Sequence, residues 1–130
     1  MQYALQEMMQ ELVGIVRNEA EMRRALDGLA RLRERASRVG VGGHREYNPG
    51  WHAALDLHNL LTVSEAITHS AIERKESRGG HFREDYPDKD PAFGTVNVVV
   101  RKERDGRMAV SRTPIPEMPL ELKKIIEEMK

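Results

Sequence analysis

The densest run of ionisable side chains is Glu73-Arg74-Lys75-Glu76-Ser77-Arg78-Gly79-Gly80-His81-Phe82-Arg83-Glu84-Asp85-Tyr86-Pro87. Guanidinium–carboxylate pairing, imidazole proton exchange near neutral pH and hydroxyl hydrogen bonding are all available to it. A helix end explains part of this, because cations offset the dipole at a helix C-terminus and glycine supplies a left-handed cap. A cap does not need so many charges in succession; a surface that docks against another polar surface does. Arginine suits such a junction, since its planar fork of donors stays charged when desolvated. The polar groups of this run therefore read as a docking surface. In the domain alone they are expected to be exposed or paired with one another, notably with Glu76, Glu84 and Asp85.

Other chemistry is weaker. His52 and His58 lie six apart, about 240° around a helix, and His58 and His69 are ~16 Å apart along one. Neither pair can share a metal, and the Glu65 to His69 spacing is not the Glu-x-x-His of di-iron bundles. Asp85, Asp88 and Asp90 lack the glycine and closing glutamate of a calcium loop. Gly40-Val41-Gly42-Gly43 follows a helical pattern instead of a strand, and Arg45 stands where a dinucleotide loop needs its third glycine. It reads as a helix stop and turn. The 130 residues contain no cysteine, which excludes disulfides, thiolate metal sites and a cysteine nucleophile. Lys plus Arg total 21 and Asp plus Glu total 21; that balance argues against nucleic acid as a partner, despite the arginine-rich segment from Arg17 to Arg38. No apolar run approaches the roughly 20 residues that span a bilayer, so no direct membrane insertion is expected.

The elements that must position these groups are mostly helical. Leu5, Met8, Met9, Leu12 and Val13 give helical spacing over Tyr3 to Val16. Asn18 with Glu21 forms a capping box before a second helix, whose stripe is Met22, Ala25, Leu26, Leu29 and Leu32 and whose end falls near Val39. Asn48-Pro49 opens a third helix expected over Trp51 to Ser77, with Arg78 at its last turn. Leu57, Leu60, Leu61, Ser64, Ile67, Thr68 and Ala71 form its seam, which Leu55 and Val63 widen. After Gly79-Gly80 an irregular segment runs to Pro91. Thr95 to Arg101 and Met108 to Thr113 then read as a hairpin with Asp105-Gly106 as its two-residue turn. Pro114, Pro116 and Pro119 lead to a tail or short helix from Leu120 to Met129. The expected fold is mainly α: one domain over 1–130, with an antiparallel, spectrin-repeat-like three-helix bundle over 1–78 and the irregular segment, hairpin and tail over 79–130.

The string Arg74-Lys75-Glu76-Ser77-Arg78-Gly79-Gly80-His81 with Arg83-Glu84-Asp85-Tyr86-Pro87 closely resembles the C-terminal domain of succinate dehydrogenase/fumarate reductase flavoprotein subunits. Val13-Gly14-Ile15-Val16-Arg17 and Leu55-Asp56-Leu57-His58-Asn59-Leu60-Leu61 extend the resemblance over nearly the whole chain. L-aspartate oxidase shares a similar Glu-Ser-Arg-Gly-x-His string and is the nearest competitor. The resemblance implies a helical domain that packs on the FAD-binding domain of the same subunit, next to an iron–sulfur subunit, in an enzyme that interconverts succinate and fumarate, and it gives Arg74, Ser77, Arg78, His81 and Arg83 the role of domain-interface residues. FAD belongs to the parent subunit; this chain is expected to hold no flavin, to be inactive alone and to have no catalytic residue. A stand-alone interaction module acting in trans is the other reading. The implied location is cytoplasmic, at the inner face of the cell membrane as part of a complex.

Overall fold

In a computed structural model, which describes residues 1–129, helices dominate: α1 (Gln2–Leu12), α2 (Glu19–Ala36), α3 (Pro49–Glu73) and α4 (Leu120–Glu128). Two-residue strands β1 (Val16–Arg17) and β2 (Phe82–Arg83) pair in parallel, and β3 (Val96–Lys102) pairs antiparallel with β4 (Met108–Pro114). The chain is mainly helical with two small strand pairs.

Local signals set several boundaries. Asn18 Oδ1 accepts from the Glu21 N–H at 3.0 Å, and Asn48 Oδ1 accepts from the Gly50 N–H at 3.0 Å with Pro49 in the first turn. Both caps occupy donors that the first helical turn leaves without a partner. Leu5, Leu29, Leu32, Ala36, Leu57 and Leu61 bury together, so α1, α2 and α3 share one core. A second cluster of Leu12, Val13 and Ala25 continues it, with Met8 and Met9 packed against both.

Three helix ends differ from the expected ones. The first helix stops at Leu12, because Val16 and Arg17 extend to meet Phe82 and Arg83. The second stops at Ala36, three residues before Val39. The third stops at Glu73, four residues before Ser77, with Arg74 already extended at ψ 93°. Beyond it the backbone bonds to the following loop instead of to the helix: the Ser77 N–H donates to Asp88 O at 3.0 Å, and Arg78 and His81 exchange a pair of bonds around Gly79 at φ 59°. Arg78 is therefore not at a last helical turn.

The seam of α3 is also narrower than expected. Leu57, Leu61, Thr68 and Ala71 are buried, whereas Leu55, Leu60, Val63 and Ile67 are exposed. The hairpin packs on α3 but leaves these four side chains uncovered. Its turn is wider than the two-residue type: the Gly106 N–H donates to Glu103 O at 3.0 Å and Gly106 takes φ 88°. That is the longer loop with glycine in the left-handed bulge position. Among the described residues no helix is long and apolar enough to cross a membrane.

Candidate functional site

Immediately after α3 the chain folds back on itself and buries charge. Glu76 is fully buried. Its Oε1 accepts from Arg74 Nη1 and, at 2.8 Å, from Arg78 Nε, while Oε2 accepts from Arg78 Nη2 at 3.0 Å and from the Asp90 N–H at 2.9 Å. The bonds from Arg78 above all, then those from Asp90 and Arg74, outweigh burial and hold the carboxyl at about 2, far below its usual value. Arg78 also donates to Asp90 O at 3.2 Å, and its Nη2 would lie 3.2 Å from a Cβ on Gly94. Arg74 reaches Phe93 O at 3.2 Å and lies over the Phe93 ring, which Arg112 covers as well.

Arg83 is buried as completely as Glu76. It grips Asp85 through two bonds of 2.7 Å, and its Nη1 donates to Ala71 O at 2.9 Å and Ile72 O at 3.2 Å. These carbonyls have no intrahelical donor at the end of α3, so the guanidinium caps that helix from a distant position. Arg83 holds Asp85 at about 2. Ser77 Oγ accepts from the Arg83 N–H at 2.9 Å and donates to Tyr86 O at 2.8 Å, locking the loop.

His81 is fixed by two partners that dictate its tautomer. Arg74 O only accepts, so Nε2 carries the proton at 3.0 Å; Arg17 Nη1 only donates, so Nδ1 receives it at 2.7 Å. The ring is neutral in this arrangement. Burial first, then Arg17, Arg83 and Arg74, push its pKa down against the opposing bond to Arg74 O.

The structure thus brings Arg74, Ser77, Arg78, His81 and Arg83 together, and pairing among themselves is observed, with Glu76 and Asp85 as counter-charges. Arg78 is exposed as well as paired, whereas Glu76, Ser77 and Arg83 are buried. Glu84 differs too, bonding Asn18 Nδ2 at 3.1 Å instead of an arginine. Arg17, not among the sequence candidates, joins the site because the Phe82 N–H donates to Ile15 O and the Glu84 N–H to Arg17 O. The site contains no nucleophile beside a base, and its acids are held ionised by arginines. Among the described residues no group of three or more metal-ligating side chains is assembled.

Residues 2–127 match the family described as the fumarate reductase flavoprotein C-terminal domain. The chain belongs to this family. It is similar to the fumarate reductase flavoprotein subunit of Mycobacterium tuberculosis, with 32% identity over 112 residues that cover 85% of this chain and 19% of that protein. It is similar to the L-aspartate oxidase of Streptomyces coelicolor, with 35% identity over 118 residues that cover 88% of this chain and 20% of that one. The structure of Mycobacterium smegmatis Sdh1 in complex with UQ1 contains a chain with 39% identity and a TM-score of 0.81, the match covering 98% of this chain and 23% of that one. This chain therefore spans about a fifth of the length of the curated relatives it matches. The Gly40–Gly43 loop joins α2 to α3, whereas a dinucleotide loop joins a strand to a helix.

Proposed function

We propose that this domain packs on the FAD-binding domain of a subunit that interconverts succinate and fumarate, and supports that subunit without turnover of its own. The match of residues 2–127 to the C-terminal part of flavoprotein subunits carries this reading. In it, α1, α2 and α3 act as an antiparallel three-helix bundle that presents the Arg74–Asp85 loop toward the flavin domain. Arg74, Ser77, Arg78, His81 and Arg83 shape that junction by fixing the loop, while exposed Ile15, Val16 and Phe82 beside it supply apolar contact. FAD is the parent's cofactor, and an iron–sulfur subunit completes the assembly at the inner face of the cell membrane.

The test replaces the C-terminal fifth of the Mycobacterium tuberculosis subunit with this chain. A chimera that retains flavin and reduces fumarate, beside a colourless and inactive 130-residue chain, supports the proposal. An isolated chain that binds flavin, or a chimera that never holds it, overturns it. The identity to L-aspartate oxidase favours a second reading, the same domain in an oxidase. A matching chimera in the Streptomyces coelicolor protein decides between them by which host accepts the chain.

A further inference from the structure

We infer that the groove between α3 and β3, which ends on Arg17 and His81, receives an apolar segment bearing a carboxylate from the flavin-binding part of the same subunit. This deepens the function proposed above and rests on it. The walls are Val63 and Ile67 from α3 and Val98 and Val100 from β3, all at least partly exposed, and the open space between them is about 520 Å³. A volume of that size along an open groove fits the side chains of an extended segment and leaves a small dicarboxylate loosely held.

The carboxylate follows from charge accounting at the closed end. Arg74 and Arg78 share Glu76, and Arg83 holds Asp85. Arg17 is half-buried beside them, yet among the described residues no carboxylate lies within 4.0 Å of it. Its partners are neutral, Gly14 O and His81 Nδ1, and Arg83 adds like charge. A guanidinium does not deprotonate in proteins, so a half-buried one next to another cation is stabilised most by an anion. The two neutral acceptors take Nε and Nη1 and leave Nη2 without a hydrogen-bond partner among the described residues, on a residue that lines the groove. About four-fifths of a relative such as the Mycobacterium tuberculosis subunit lies outside the matched region, so the apolar segment and its acid come from there.

The test uses the chimeric flavoprotein subunit with Arg17→Lys, which keeps the charge and places an amine at the same point. A carbodiimide joins that amine only to a carboxylate in direct contact, and peptide mass spectrometry names the acid. A bond from position 17 to an Asp or Glu upstream of the 130 residues supports the inference. So does a Val98→Asp chimera that loses flavin at lower temperature while the same change leaves the melting of the 130-residue chain in place. No bond, or bonds only to acids within the 130 residues, overturns the inference; flavin retention in the same sample then leaves the proposed function standing. Saturable binding of succinate to the isolated wild-type chain, lost in Arg17→Gln, also overturns it in favour of a small-molecule occupant. A chimera without flavin overturns both.

Discussion

Replacing Glu76 by Gln keeps the side chain's shape and removes its charge, so it isolates what the buried carboxylate does. The amide offers one acceptor oxygen where Glu76 offers two. If that oxygen serves Arg74 and Arg78 Nε, the amide NH₂ faces Arg78 Nη2 and the Asp90 N–H, donors against a donor. Removing one partner of a buried ion pair costs about 3–5 kcal/mol when the other charge stays in the interior. The side chains of Arg78 and Arg74 are 39% and 21% exposed, so both regain some water, and the expected loss falls to about 2–3 kcal/mol. The folded carboxyl sits at about 2 against an ordinary 4.5. Its contribution is therefore complete above pH 4.5 and drains away as pH falls toward 2. Urea unfolding followed by far-ultraviolet circular dichroism, at neutral pH and near pH 3, should show the gap between wild type and Glu76→Gln narrowing in acid. Asp85 titrates over the same range in both proteins and cancels from the difference. A gap below about 0.5 kcal/mol at neutral pH, the size of an ordinary surface change, refutes the network. A gap that does not change with pH shows that shape, not charge, was lost.

Leu61→Ala should cost about 2–5 kcal/mol because Leu61 is 1% exposed, whereas Leu60→Ala, at 37% exposed, should cost about 1 kcal/mol or less; equal losses in thermal melts would contradict the narrow seam. Gly79→Ala places a side chain at φ 59° in open space, so only backbone strain of about 1–2 kcal/mol is expected, while Gly80→Ala should be close to neutral. His81 should be neutral with its proton on Nε2 at pH 7 and titrate below the ordinary 6.5, which nitrogen-correlated NMR reads directly. Because this base has a folded pKa below its unfolded one, the stability it lends is present above about pH 6.5 and lost as pH falls through the folded value. A proton found on Nδ1 would refute the arrangement.

What the sequence made legible was local. Asn18 with Glu21, Asn48 with Pro49, and Asp105-Gly106 each signal a start or a turn through bonds within a few residues, and all three lie where expected. The burial of Glu76 and Arg83 was not legible in that way, because charged residues are almost never fully buried unless paired, and part of what satisfies these two lies 12 to 14 residues away, at Ala71 O and the Asp90 N–H. One signal was present and was masked by extending the third helix to Ser77. Arg74, Glu76 and Arg78 alternate at two-residue spacing, as do Arg83 and Asp85. Such neighbours do not face each other on a helix, but they share a side of an extended chain. The alternation therefore argues for a strand-like turn with internal ion pairs, which is the observed form.

The parallel joining of Val16–Arg17 to Phe82–Arg83 also has a kinetic meaning. It ties positions 66 residues apart, across the whole of α2 and α3. Closing so long a loop gains little until those helices have packed and brought its ends together. The strap and the arginines it carries are thus expected to form after the folding barrier. Weakening them should leave the refolding arm unchanged but raise the unfolding rate by most of the stability lost. The loop after α3 acts as a latch on a domain assembled before it, setting how long the folded state persists rather than how fast it is reached.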